Sequence, residues 1–438
     1  MLGRSAVGSP PAGKERPVRS THVVVLGGGF AGLETAFLLR SRFGEDRLRL
    51  TVVSDRGEFL FKPNTIYLPF EGDDGHLRVP LEPALRRRGI GYVPAEVSTL
   101  DPGRRTVGLA DGGTITYDYL VVATGARANP GEIPGLGEHG RQLCDPARLG
   151  SFAEELLWMV QYARHGHRQH VVCVVPPGLH YPTATYELAL MLDTWLRRGD
   201  IRHQVEIRLV THEETLLRDF GPKVHDAVTA RFAEREIESD TGLTVTSTTG
   251  TKVKFGDHNA RRYDLLICLP PQVAAVTYPG LPADDRGFLR CEPGTRAVRG
   301  YPEIFAPGDA GDFPIKQAFI ALRHAEAVAD AIGADLTGRP RDDATGGITT
   351  MFLLDMLDQA LFAQVPLAVG QAPDGRTIVS PSARTPYRVG TGRWWRLGKH
   401  SVGRSVPAAF ASGHPFHAGA WWDAAQRHLR AGTDALTR

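Results

Sequence analysis

The sequence predicts an α/β chain with two Rossmann-like dinucleotide-binding domains, the second inserted in the first, followed by a C-terminal helical or interface element. Three observations carry this expectation. An apolar run, Val23-Val24-Val25-Leu26, breaks into Gly27-Gly28-Gly29-Phe30-Ala31-Gly32, a Gly-x-Gly-x-x-Gly turn. A second run, Tyr119-Leu120-Val121-Val122, ends in Ala123-Thr124-Gly125, and a third, Ile304-Phe305-Ala306-Pro307, ends much later in Gly308-Asp309. Between the second and third lies a block with its own strand and helix alternation.

The first turn reads as one end of a nucleotide site. Gly27 permits the tight turn, Gly29 lets a pyrophosphate approach the backbone, and Gly32 lets the following helix pack closely. That helix, through Leu33 to Leu39, turns its free N-terminal N–H groups toward the phosphates. The next strand, Leu50-Thr51-Val52-Val53, ends at Ser54-Asp55, where an acidic residue meets ribose hydroxyls. Ala123-Thr124-Gly125 closes its strand where the backbone can turn beside a ligand, and Asp309 is placed to accept a hydrogen bond from a ribityl hydroxyl. The combination points to FAD.

Composition limits the other possibilities. The 438 residues suffice for two α/β domains and an extra element. A net charge of +2 gives no electrostatic basis for a nucleic-acid partner. Residues 1–20, rich in Pro, Gly, Arg and Ser, lack the apolar region of a signal peptide and read as a disordered tail. No apolar run reaches transmembrane length. Four cysteines without a C-x-x-C pair or a metal-type His/Cys spacing fit a reducing cytoplasm and predict no metal. Cys173 and Cys268 lie in strand-like runs and read as buried structural thiols.

The expected division is 21–145 for the first part of the FAD domain and 146–300 for the insert. Residues 301–345 return to the FAD domain, and 346–438 form the C-terminal element. In the insert, a helix from Leu149 to Arg164 precedes strands at His170–Val175, Val205–Val210 and Leu265–Leu269. Its first strand runs into Pro176-Pro177-Gly178-Leu179-His180-Tyr181-Pro182, with no Gly-x-Gly-x-x-Gly. Two prolines remove N–H donors where a pyrophosphate needs them, which disfavours NAD(P)H.

Further segments narrow the reading: Ser54-Asp55-Arg56-Gly57-Glu58-Phe59-Leu60-Phe61-Lys62-Pro63, Leu77-Arg78-Val79-Pro80-Leu81, Tyr186 through Asp193, Leu269-Pro270-Pro271 and Pro314-Ile315-Lys316-Gln317. They resemble sulfide:quinone oxidoreductases and the related flavocytochrome c sulfide dehydrogenases, which are glutathione-reductase-type flavoproteins with two dinucleotide-binding domains. The resemblance covers roughly residues 20–345. It implies FAD held by Gly27, Gly29, Phe30, Ala31, Gly32, Ser54, Asp55, Arg56, Lys62, Val97, Ala123, Thr124, Gly125, Gly308 and Asp309. It also implies that Lys316 sits beside the isoalloxazine ring, where a cation stabilises negative charge on the reduced flavin; a solvated surface lysine is the plainer alternative.

That family oxidises sulfide with a cysteine pair at the flavin. Here the two positions fall on Tyr181 and near Phe352, while Arg141-Gln142-Leu143-Cys144-Asp145-Pro146-Ala147 resembles the surroundings of a third family cysteine. A single thiol cannot cycle through an intramolecular disulfide. Tyr181, with His180 beside it, is therefore the candidate acid/base pair for an organic substrate. The alternative is that Tyr181 fills the vacated space as an apolar shelf. His324 reads as a surface or packing residue.

Arg393-Trp394-Trp395-Arg396-Leu397 and His417-Ala418-Gly419-Ala420-Trp421-Trp422 pair aromatics with cations, as interfacial membrane segments do. The resemblance implies that such segments dock on a membrane and shape a quinone channel. Against this, Asp423, Gln426, Arg427 and His428 make the last helix polar, and mean hydropathy is -0.20. Tryptophan pairs also pack homodimer interfaces.

The expectation is an FAD-dependent oxidoreductase that takes a hydride from a small organic molecule and uses a quinone or oxygen as acceptor. It would be cytoplasmic, with peripheral contact on the inner face of the membrane and a homodimer left open. Three alternatives stand: an NAD(P)H:quinone oxidoreductase of the type II NADH dehydrogenase kind, a non-catalytic flavin-binding scaffold or sensor, and an atypical sulfide:quinone oxidoreductase.

Overall fold

The computed structural model describes residues 20–72, 75–140, 146–256, 259–341, 347–382 and 387–417. The N-terminal stretch 1–19, Cys144 and the Trp421-Trp422 pair lie outside the described residues.

Val23 to Leu26 are each 0% exposed, because the strand Thr21–Leu26 lies in the middle of a six-stranded sheet. The order is Ala297–Val298, Tyr301–Phe305, Tyr119–Val122, Thr21–Leu26, Leu48–Val53, Gly91–Val93, parallel except at the first pair. Unbroken apolar runs of this kind are what a parallel strand covered on both faces requires. The helices Phe30–Arg42 and Ala318–Leu336 pack together on one face around Leu33, Phe37, Val328 and Ile332.

The insert builds a second parallel sheet, in the order Glu238–Asp240, Val205–Thr211, Gln169–Val175, Leu265–Cys268. Its flanking helices include Pro146–Arg164, Thr183–Arg198 and Pro222–Glu234. Cys173 and Cys268 are fully buried in this sheet, and burial pushes both thiols up, Cys173 to about 12. The two chain crossings between the sheets pair with each other: Ala126–Ala128 runs antiparallel to Gln272–Ala274. This brings the strand ends Ala123–Gly125 and Leu269–Pro271 side by side, with Asn129 N–H donating to Pro271 O at 2.7 Å and Ala275 N–H to Gly125 O at 3.0 Å.

The C-terminal part carries more than the helical element expected from its aromatic clusters. Four antiparallel strands, Ile348–Asp355, Ala360–Gln371, Thr377–Pro381 and Arg388–Gly392, precede the helix Arg393–Ala411. Burial alternates along the first of them: Thr350, Phe352 and Leu354 face the main core, while Met351 and Leu353 pack toward Phe362 and Trp395. Trp395 stacks on Phe362 at 4.1 Å, which anchors the final helix to the sheet. Its neighbours Trp394, Leu397 and Val402 remain exposed. No helix among the described residues is long and apolar enough to cross a membrane.

Candidate functional site

The three motif segments converge in space. Gly27 adopts a φ of +105°, and a Cβ there would collide with the Ala123 carbonyl oxygen. A Cβ on Gly32 would collide with the Gly27 carbonyl, and one on Gly308 would lie 3.0 Å from the Ala31 methyl. Gly29 differs from all of these: a Cβ there would meet no protein atom within 4 Å. It also caps the helix Phe30–Arg42 without any side-chain hydrogen bond, so open space sits at an uncapped helix N-terminus. Such a space fits a pyrophosphate.

The flanking candidates surround this space to different degrees. Phe30 packs edge-on against Phe59 at 4.9 Å and Phe61 at 5.5 Å. Ser54 is buried, its N–H donating to Val93 O at 3.1 Å and its hydroxyl taken up by the Arg56 main chain. Asp55 and Arg56 stand exposed beyond the strand Leu48–Val53. Gly125 is open on its Cβ side, beside Thr124 and Ala123. Val97 opens a small separate sheet and packs half-buried on the core that contains Val24 and Val53. Asp309 is raised by burial, and the nearby Lys316 and Lys62 work against that rise. These groups fit FAD.

Lys316 lies at the junction of the insert's turn and the first domain. It is 3% exposed, not a solvated surface lysine. Its Nζ donates to Gly311 O and lies 3.8 Å from the centre of the Phe288 ring. Burial lowers its ammonium to about 8, although Asp309 favours the charge. Its N–H donates to His180 O at 2.9 Å, which draws the insert's turn onto the flavin domain. His180 Nδ1 lies 2.9 Å from Pro314 O, and a carbonyl only accepts, so Nδ1 carries the hydrogen. Nε2 is then a bare acceptor, buried and without a hydrogen-bond partner among the described residues. Burial, and secondarily Lys316, push this imidazole down to about 4, so it is neutral near pH 7.

Tyr181 is half-buried against the core that also contains Phe313, Ile315 and Phe352. Phe352 is 9% exposed and meets Phe220 edge-on at 4.7 Å. Among the described cysteines, Cys173, Cys268 and Cys291 are all buried, and each thiol is raised by burial. His324 proves to be buried: its Nδ1 accepts the Gly308 N–H at 3.2 Å and so supports the Gly308-Asp309 turn.

One cluster escapes local sequence signals. Tyr67 OH donates to Asp355 Oδ2 at 2.7 Å, Arg396 pairs with Asp355 at 3.2 Å, and Asp355 N–H donates to Glu187 Oε1 at 3.0 Å. Glu187 in turn pairs with Lys399. Buried charges need partners, and here they tie the helix Thr183–Arg198, the C-terminal sheet and the last helix together. The usable hint was charged residues, Glu187 and Asp355, at the ends of otherwise apolar runs.

Comparison with known proteins gives the family and the fold. Residues 21–325 match the family described as pyridine nucleotide-disulphide oxidoreductase. The chain is 32% identical over 251 residues to the sulfide-quinone reductase of Aquifex aeolicus (strain VF5), spanning 56% of this chain and 56% of that protein. It is 27% identical over 297 residues to NADH dehydrogenase-like protein Rv1812c of Mycobacterium tuberculosis (strain ATCC 25618 / H37Rv), covering 66% of this chain and 72% of the relative. The solved sulfide:quinone oxidoreductase from Aquifex aeolicus shares the fold, with a TM-score of 0.77 at 22% identity over 94% of this chain and 95% of that one. The chain therefore belongs to the pyridine nucleotide-disulphide oxidoreductase family and is an FAD-dependent oxidoreductase similar to the sulfide:quinone oxidoreductases.

Proposed function

We propose that this enzyme oxidises a small organic molecule and delivers the electrons to a quinone or to oxygen, without a thiol among the described residues free to take part. The reading rests on the resemblance, which puts the family's two cysteine positions at Tyr181 and near Phe352, and on the burial of the described cysteines. The Aquifex relative's name supports a quinone as acceptor.

Gly27–Gly32, Ala123–Gly125 and Gly308-Asp309 would hold FAD, which when bound would supply a two-electron acceptor for hydride and a route to a second acceptor. The chain's own groups prepare the donor. The bare Nε2 of His180 takes the proton that the donor releases. Lys316 keeps a positive charge beside the reacting region below about pH 8. Tyr181 and Phe352 exclude water. Exposed Trp394, Leu397 and Val402 support peripheral membrane contact of a cytoplasmic protein.

An NAD(P)H donor is the second reading, favoured by the name of the Mycobacterium tuberculosis relative. An anaerobic visible-absorption titration with sulfide, NADH and NADPH, then with small amines, alcohols and hydroxy acids, separates the two. A flavin bleached only by an organic donor is the expected result. Fast bleaching by sulfide overturns the proposal.

A further inference from the structure

We propose that the ion pair Arg286–Glu132 closes the phosphate-binding turn of the inserted domain, so that this second dinucleotide fold holds no nicotinamide dinucleotide and serves instead to fix His180. Arg286 is thereby a specificity-determining residue.

The turn Pro176–Pro182 sits between the strand Gln169–Val175 and the helix Thr183–Arg198, the place where a Rossmann fold receives a pyrophosphate. Gly178 keeps a φ of +76°, and a Cβ on it would lie 2.6 Å from Arg286 Nη2 and 2.7 Å from Cζ. The guanidinium therefore lies flat on the turn, in the space a phosphate needs. It is fixed there by Glu132, with Nη2 donating at 2.6 Å and Nη1 at 2.9 Å to the two carboxylate oxygens, and by Gln272 O at 3.1 Å. Such a forked pair is among the stronger hydrogen-bonded arrangements, and an incoming phosphate would have to displace it.

The backbone offers little in exchange. Pro176, Pro177 and Pro182 have no N–H, the Leu179 N–H points to Pro176 O at 3.4 Å, and the His180 N–H donates to Gln272 Oε1 at 3.3 Å. The cavity of about 410 Å³ beside Arg286 is lined by Asp284 and Asp285 as well as Arg127, so it carries no excess positive charge to draw phosphates. The same contacts give the turn another task. Gln272 N–H donates to Gly178 O at 2.9 Å, and Lys316 N–H to His180 O at 2.9 Å, so the turn is clamped from both sides with His180 between.

The test measures NADH and NADPH binding to FAD-loaded protein by nicotinamide fluorescence, a readout that does not depend on which donor reduces the flavin. Wild type is expected to show no saturable binding up to about 1 mM. A variant combining Arg286→Ala, Pro176→Gly and Pro177→Gly is expected to bind NADH at least about tenfold more tightly. If that variant loses FAD, Glu132→Gln replaces it, with an expected gain of about threefold. Saturable wild-type binding that Arg286→Ala weakens would make Arg286 a phosphate ligand and overturn the inference. An FAD-loaded opened variant with no gain would overturn it as well.

Discussion

Two turns of this molecule occupy equivalent places and differ in what they offer a ligand. Each follows a buried parallel strand, Val23–Leu26 at 0% exposure and Val171–Val175 at no more than 3%, and each leads into a helix. In the first turn, collisions confine Gly27 and Gly32 to glycine, while Gly29 faces open space at an uncapped helix end. In the second, prolines replace donors and the guanidinium of Arg286 covers the one glycine. A shared fold need not confer a shared ligand, and these two turns differ in their hydrogen-bond donors and free space.

The largest effect should come from Gly27→Ala. A left-handed backbone and the Ala123 carbonyl leave no room for the added methyl. The purified variant should lose essentially all FAD, read from its visible absorbance, together with about 2–4 kcal/mol of stability in urea unfolding. Gly29→Ala comes next and sharpens the contrast, because the added Cβ meets no protein atom within 4 Å. Apoprotein stability should stay within about 0.5 kcal/mol of wild type while FAD affinity falls about 100-fold. Unchanged FAD affinity would remove the pyrophosphate from this turn.

Lys316→Met follows. Loss of the buried cation should slow donor-dependent flavin reduction about tenfold or more. In wild type the same rate should fall as pH rises through about 8, where the ammonium loses its proton, and the variant should lack that limb.

A further effect, read in stability rather than in flavin chemistry, concerns the helix launched by the first turn. Glu34 is 0% exposed and accepts the N–H groups of Phe416 and His417 at 2.8 and 2.7 Å. Burial raises its carboxyl from 4.5 to about 7. The folded state thus binds this proton more tightly than the unfolded chain does. Its contribution to stability is present below the unfolded value and is lost as pH rises through about 7. Relative to Glu34→Gln, wild type should lose about 2 kcal/mol between pH 5 and pH 8 in paired denaturation curves.

The first turn was legible because its constraints are local: one strand, three glycines and a helix within a dozen residues announce themselves by spacing. The motif singled out Lys316, but only packing shows that it is buried against Phe288. The proline turn announced a missing donor set, yet nothing local pointed to what covers it. Arg286 and Glu132 lie 154 residues apart, and Tyr67 and Asp355 lie 288 apart. Pairings at such distances leave no periodic trace in the sequence. The C-terminal sheet was hidden in a similar way, since the Trp394-Trp395 pair drew attention to an interface while the alternation from Thr350 to Leu354 marked a strand.

The most direct test of the central contrast is a count of bound dinucleotides per chain, by equilibrium dialysis of FAD-loaded protein against NADH and NADPH. One FAD and no nicotinamide dinucleotide per chain is the expected result. One FAD plus one nicotinamide dinucleotide, bound at micromolar concentration, would contradict the account.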